Sequence, residues 1–535
     1  MARKSSNFNL SKGIVKHFAI KEPQILGMVT AINPITLPDG YCQFCNGFPS
    51  LTGALEGYLE PKLVYTPDIT IEKADAFNFG DDFYVLICNF SSVATVNTEV
   101  IKNFSTVVGS FNFPFNDFDL YYDWLLLVGD SNLVALNLTN GTVRDLTSEG
   151  IFGDTITAWK GRIFVGKDDT ITYSIPNPDL SNTTQTVFDT TAGAGWIQIN
   201  TKGAKIKKLL PKEDTIYIFL STGIHALFGT TISNDPQTWY LTELNSQIGL
   251  LDTRAYAISK NGTIYFLDQE GRLNKFVATT PERIDDLVYN IAPSHNKVVL
   301  FIYGLEEYIG KPYYNKRYGF YSIITTKDRK NYFTQLLWRK IDADVIDYFV
   351  AKGKLYFALS NGIYESFAGT QYFIPFLVSK QYDFGDVSIY KNVRKIKVDT
   401  NYWVRTSDPN FEAYFPAYIT NSDSTPQKLS SMIDQFTVLQ TRSVFLYSQP
   451  LQYIELCVGL PKVGQYVNFY TSVGSVNWTT SDGVNAVFTN TIFYLGESNG
   501  TPIYSNEPKL DTQIEIRSFS VEGTIGARNR NLRGL

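Results

Sequence analysis

The sequence predicts an all-β protein: a β-propeller of six or seven blades, followed by a β-sandwich or barrel module. Three observations predict it. One hairpin design recurs along the chain, and its copies lie about 40–50 residues apart. Composition is rich in aromatic and β-branched residues, with 34 Tyr and 37 Phe against 3 Met. Helical 3.6-residue periodicity is almost absent, so a helical solenoid of similar period is excluded.

The clearest copy of the hairpin is Lys260 to Phe276. Asn261-Gly262 reads as a turn, since Gly reaches positive φ freely and Asn tolerates it. Ile264-Tyr265-Phe266-Leu267 is an apolar run too short for a helix. Glu270-Gly271 turns again, and Leu273 and Phe276 return to a core. The same design is read at Lys160–Gly166, Gly353–Tyr364, Asp214–His225, Asp123–Asp130 and Asp82–Cys88, with Val298–Tyr303 as a seventh candidate. Taking Tyr84, Leu125, Phe164, Tyr217, Tyr265 and Tyr356 as markers, the steps are 41, 39, 53, 48 and 91 residues. The last is close to two periods and leaves room for the copy near residue 300. Residues 67–370 are therefore assigned to the propeller, each blade having one strongly apolar inner strand packed against its neighbours.

Residues 1–66 read as an amino-terminal arm and leader contributing to a ring or platform. Residues 1–12 are polar, and as an ordered arm they would need a neighbouring subunit to hold them. Residues 30–66 are loop-rich, with Leu37-Pro38-Asp39-Gly40, Asn46-Gly47 and Gly53-Ala54-Leu55-Glu56-Gly57. After Gly369 the pattern changes. Ser379 to Asp386 is followed by Lys391-Asn392-Val393-Arg394-Lys395-Ile396-Lys397-Val398-Asp399, an alternating strand with Val393, Ile396 and Val398 apolar. Short strands separated by Pro, Gly and Asn-Ser-Asp clusters continue to residue 510. Lys428–Phe436 is the one segment there that reads as a helix. Ile514 to Val521 is a strand, and after Gly526 the chain is basic, with Arg528, Arg530 and Arg533. Residues 371–535 are thus assigned to sandwich modules with a basic tail.

The leader motif before the first blade, the Ser379–Asp399 segment and the Ile-rich strand running into a Gly-Arg tail together resemble the propeller-bearing tail nozzle or tail hub proteins of short-tailed double-stranded DNA bacteriophages. The resemblance touches residues 35–62, 375–399 and 514–535. It implies a structural virion protein, a six-fold homo-oligomeric ring through which viral DNA is ejected. It also implies assembly in the host cytoplasm and contacts with portal-adaptor proteins, neighbouring tail proteins and tail fibres. Arg394, Lys395, Lys397, Arg528, Arg530 and Arg533 are the candidate interface or DNA-facing residues, because guanidinium and ammonium groups pair with carboxylate or phosphate; a solvated basic tail is the alternative for the last three.

Charge is nearly balanced: 47 basic against 52 acidic residues, net −5. This argues against a dedicated nucleic-acid binder and suits a lumen in which phosphates slide. Four cysteines are too few for a disulfide scaffold, and Cys42-x-x-Cys45 lacks the partners that tetrahedral zinc needs. No cofactor or metal is expected. Lys16, His17, Lys21, Glu22 and Pro23 interrupt the first apolar stretch, so no secretory leader is read, and no run approaches a membrane span. Asn-x-Ser/Thr triplets at Asn103, Asn137, Asn261 and Asn477 read as turns. The three histidines, His17, His225 and His295, fall in no catalytic motif, and His225 reads as structural. The acid pairs Asp81-Asp82 and Asp168-Asp169 could serve a glycan hydrolase, but each lies at an expected turn. No catalytic residue is assigned. The alternatives to a nozzle are a propeller that reads a glycan or host receptor through exposed Trp or Tyr, and a glycan hydrolase.

Overall fold

The computed structural model describes the chain almost continuously over residues 54–370, apart from 92–93, 201, 230–235, 278, 285–296, 305, 314–319, 326–331 and 338–344. On either side it describes strands between 16 and 49 and between 372 and 525, together with Leu37 and Tyr382. Almost all the regular structure in these residues is β, relieved only by three 3-10 turns.

The propeller is built from antiparallel four-strand meanders. Blade one is Lys73–Phe79, Asp82–Cys88, Thr98–Lys102 and Thr106–Phe111. Blade two is Asp117–Tyr121, Trp124–Val128, Leu133–Asn137 and Val143–Asp145; blade three is Thr155–Trp159, Arg162–Lys167, Thr170–Tyr173 and Gly195–Gln198. Blade four is Ile206–Lys212, Thr215–Leu220, Ile224–Phe228 and Tyr240–Asn245; blade five is Tyr256–Ile258, Ile264–Leu267, Leu273–Val277 and Thr280–Arg283. Blade seven takes three strands from Asp347–Ala351, Lys354–Leu359 and Gly362–Glu365. Its outer strand is Lys62–Tyr65, from the segment read as leader. These six are self-contained sheets. The remaining sector, blade six, is the meander Val299–Tyr303, Glu306–Tyr313, Phe320–Thr325 and Tyr332–Leu337, which continues into a ten-stranded sheet.

All six marker residues lie in the second strand of their blades, not the innermost. The reason is burial on both faces. In blade two, Leu125 and Leu127 pack toward blade one with Tyr84, Leu86 and Cys88, while Trp124, Leu126 and Val128 pack toward blade three with Ile156, Ile163 and Val165. Alternate side chains leave opposite faces of a strand, so a strand sandwiched between two blades must be apolar throughout. Each fully buried Leu, Ile or Phe contributes roughly 1.5–3 kcal/mol to this packing. Blade seven meets blade one the same way, with Phe349, Tyr356 and Ala358 against Ala74, Val85 and Ile87. The inner strands, exposed to the axis on one side, carry the polar residues. Val298–Tyr303, read as a further copy of the apolar strand, is an exception: Val299–Tyr303 is the innermost strand of blade six, although apolar throughout, and Glu306–Tyr313 is the second.

Tight turns join the first two strands. Lys160-Gly161 (φ 47° and 77°) and Lys352-Gly353 (φ 48° and 79°) have two consecutive positive φ values, as a type I′ hairpin turn requires. The long step between Phe164 and Tyr217 arises in the excursion between the third and fourth strands of blade three. Buried Arg144 donates there to the carbonyls of Asp179, Leu180, Asn182 and Gln185.

Outside the blades, the two ends of the chain meet in one sheet. Lys16–Glu22 pairs antiparallel with Glu515–Ile525, which pairs on its other side with Lys391–Asn401. The ten-stranded sheet joins blade six to Tyr41–Asn46, Phe376–Ser379 and Glu455–Val458. The segment read as a helix, Lys428–Phe436, instead holds the strands Gln427–Leu429 and Met432–Ile433. It is a short stretch whose local preference yields to pairing with neighbouring strands. Of the four glycosylation-like triplets, Asn103, Asn137 and Asn261 sit at turns, whereas Asn477 lies inside the strand Gly474–Thr480.

Candidate functional site

The first strands of the blades surround an axial cavity of about 520 Å³. Each contributes to its wall, from Asp75 in blade one through Asp117, Thr157, Lys208 and Tyr256 to Val299 and Phe349 in blade seven. A charge that the inner strands bury between blades must be paired, since it has lost its water. Here the pairs run between blades. The Lys208 ammonium donates to both Asp117 oxygens at 2.6 and 2.7 Å, and both side chains are only 6% exposed. Asp117 also accepts from the Thr155 hydroxyl at 2.7 Å and the Ile156 N–H at 3.0 Å, so one carboxylate ties blades two, three and four. Asp119 repeats the device one step outward, accepting from the Thr157 hydroxyl and the Ala158 N–H.

The closing seam uses the same chemistry. Asp347 of blade seven accepts from the Ala74 N–H of blade one at 3.0 Å. It pairs with Arg254 from the segment entering blade five and with Lys297, 3.6 Å away, which also reaches Asp75 and the Ala74 carbonyl. Lys73, over the Phe115 ring, donates to the carbonyls of Phe115 and Asn116 and so fastens blade one to blade two.

Electrostatics follow from this geometry. Burial works against the Asp347 charge, but Lys297 and Arg254 overcome it and hold the carboxyl at about 2. Burial also disfavours a charged Lys208, yet Asp117 outweighs it and its pKa lies above that of an ordinary lysine. Lys73 has no carboxylate in contact among the described residues; burial and the Arg254 charge pull it down to about 8. Burial pushes Asp119 up, and pushes the Tyr256 hydroxyl to about 12.

The residues singled out from sequence lie elsewhere. Arg394, Lys395 and Lys397 belong to Lys391–Asn401 in the sheet that joins the chain ends, with Lys395 opposite Glu522 and Lys397 opposite Ser520. The three-residue step from Val393 to Ile396 coincides with a register shift between Val393 and Lys395, a bulge at Arg394. Arg528, Arg530 and Arg533 lie outside the described residues, as do residues 1–12 and His295. Cys42 is buried in Tyr41–Asn46, which Cys45 shares, and no cluster of three metal-ligating side chains occurs among the described residues. Asp81, Asp168 and Asp169 lie in turns, and Asp82 opens the strand that follows one. Asp82 pairs with Lys102 at 2.7 Å and accepts from Asn103, and Asp168 pairs with Lys205 at 3.0 Å. His225 is buried in the third strand of blade four, its Nδ1 without a hydrogen-bond partner among the described residues.

The axial residues were missed because the inner strands read as polar and unremarkable. A signal existed. Asp75, Asp117, Thr155, Lys208, Tyr256 and Asp347 each stand eight or nine residues before a marker of the apolar strand.

No described helix is long and apolar enough to cross a membrane. No family profile and no curated protein matches the sequence. Among solved structures, the chain is similar to the extracellular domain of a putative hybrid two component system from B. thetaiotaomicron, at 11% identity and a TM-score of 0.35, covering 83% of this chain and 56% of that one. It is also similar to Kluyveromyces lactis Hsv2, at 11% identity and a TM-score of 0.32, with 49% of this chain and 84% of that chain covered. Hsv2 of a second Kluyveromyces species is similar at 10% identity and a TM-score of 0.31, over 50% and 84%. These likenesses carry nothing about activity.

Proposed function

We propose that this chain is a structural virion protein, a ring-forming tail nozzle or hub through which viral DNA leaves. The observation that carries the reading is the sheet joining the chain ends. Lys16–Glu22 and Lys391–Asn401 flank Glu515–Ile525, and Leu55–Glu56 pairs with the same strand. The propeller is thereby an excursion from a platform built by the leader and the carboxy-terminal segment. The three stretches that resemble phage tail proteins hold Leu55–Glu56, most of Lys391–Asn401 and Glu515–Ile525 of that platform, with Tyr41–Asn46 and Phe376–Ser379 of the sheet fused to blade six; Lys16–Glu22 and Glu455–Val458 lie outside them. Such a platform suits head-to-tail contacts that close by rotation into a homo-oligomeric ring, and the near-balanced charge suits a lumen that does not grip phosphate. DNA would pass through the lumen of the assembled ring and not along the axis of a single propeller.

Native mass spectrometry and negative-stain imaging of the purified protein, together with images of virion tails, test this. The expected result is a closed ring, six-fold by the resemblance. A single-copy protein at every concentration, with no ring at the tail axis, refutes it.

One observation favours a second reading, a glycan or receptor reader. Trp196 and Tyr240, 65% and 59% exposed, stand on the outer strands of adjacent blades three and four. Glycan binding by a monomer, lost in Trp196→Ala, would replace the first reading with this one.

A further inference from the structure

We infer that the axial cavity is a binding site for a small organic molecule carrying a carboxylate or phosphate group. This inference is independent of the tail reading. Its volume, about 520 Å³, is that of an ordinary small-molecule site. Its wall mixes apolar surface from Ile258, Leu300 and Val350 with a few convergent polar groups.

The donors left over decide the ligand class. Arg254 uses one terminal nitrogen on Asp347; the rest of its guanidinium has no partner among the described residues, and the side chain is 26% exposed. Tyr256 also lines the cavity, and its hydroxyl makes no hydrogen bond among the described residues. The Lys208 ammonium sits 5.5 Å from the centre of the Tyr256 ring. The acceptors, by contrast, are committed. Asp117 holds Lys208, Thr155 and Ile156; Asp119 holds Thr157, Ala158 and Leu120; Asp347 holds Arg254, Ala74 and Tyr348. A site with spare donors and occupied acceptors selects an oxyanion, and a planar guanidinium offers it a two-point contact. A cation would be repelled by Arg254, and a neutral ligand would offer those donors weaker acceptors than an oxyanion does.

Three probes of one shape separate the possibilities: galacturonate, galactose 6-phosphate and galactose, titrated into the full-length protein by calorimetry and thermal shift in low salt. Saturable binding of either anion, and weaker or no binding of galactose, is expected; the two anions distinguish carboxylate from phosphate. Tyr256→Phe, which removes only an unpartnered hydroxyl, should weaken anion binding roughly three- to tenfold without lowering the melting temperature of the free protein. Arg254→Lys keeps a cation beside Asp347 but loses the fork, and should weaken it further. Galactose binding as tightly as the anions, no binding of either anion up to its solubility limit, or anion binding unchanged in Tyr256→Phe overturns the inference.

Discussion

Replacing Lys208 by Met tests whether inter-blade ion pairs hold the wheel together. Methionine has similar bulk and no charge, so the change removes the pair and little packing. It strands Asp117, 6% exposed, with only Thr155 and Ile156 as donors. Breaking a buried pair from one side costs roughly 3–5 kcal/mol, because the remaining charge keeps its desolvation penalty and loses its partner. At about 2.1 cal/mol/K per residue, the roughly 300 residues from Lys62 to Glu365 have an unfolding entropy of about 0.6 kcal/mol/K, so the melting temperature falls by about 5–8 °C. Differential scanning calorimetry of Lys208→Met, Asp117→Asn and the double variant measures the coupling. The double variant should recover much of the loss, since the introduced amide would still accept from the Ile156 N–H and no charge is left alone. A single-variant loss under about 1 kcal/mol, or a double variant worse than the sum of the singles, would show that the pair is not what joins blades two and four.

Other outcomes follow from the same geometry. Asp347 is held at about 2 in the folded state against 3.8 for the free group. Its folded pKa is depressed, so its stabilisation is present above about pH 4 and is lost as pH falls toward 2. The stability gap between wild type and Asp347→Asn should therefore shrink over that window in acid-titrated calorimetry; a gap constant with pH would contradict the ion-pair assignment. Replacing Lys62–Tyr65 by Gly-Ser-Gly-Ser should unzip the outer edge of blade seven, and hydrogen exchange should show amides of its partner strand Gly362–Glu365 losing protection while those of blade two keep it. Unchanged protection in blade seven would mean that this strand does not close the ring. Gly161→Ala places a Cβ at φ 77°, against the Asn177 side chain, and should lower stability by about 1–3 kcal/mol in denaturant unfolding.

Much of the fold was legible in the chain because its strongest signal has one physical cause. A strand packed between two blades is apolar on both faces, and Tyr84, Leu125, Phe164, Tyr217, Tyr265 and Tyr356 mark six such strands at propeller spacing. The inner strands gave no comparable signal. Asp75, Asp117, Lys208 and Asp347 look like solvated residues near turns until the ring closes around them. Nor could Lys62–Tyr65, some 300 residues before its partner strand, be assigned to blade seven from local pattern. The helix read at Lys428–Phe436 failed because pairing with the strands just before it, Ala413–Tyr414 and Ala417–Thr420, outweighs the preference of a short segment.

By itself, then, the sequence determined strand content, the period and the apolar layers between blades, since these depend on neighbours two residues or one turn away. Only the tertiary structure decided which charges meet between blades, which strand closes the ring and which segments join the chain ends. Those are contacts between residues tens to hundreds apart, and a carboxylate or an ammonium carries in its own neighbourhood no record of the partner that will offset its desolvation.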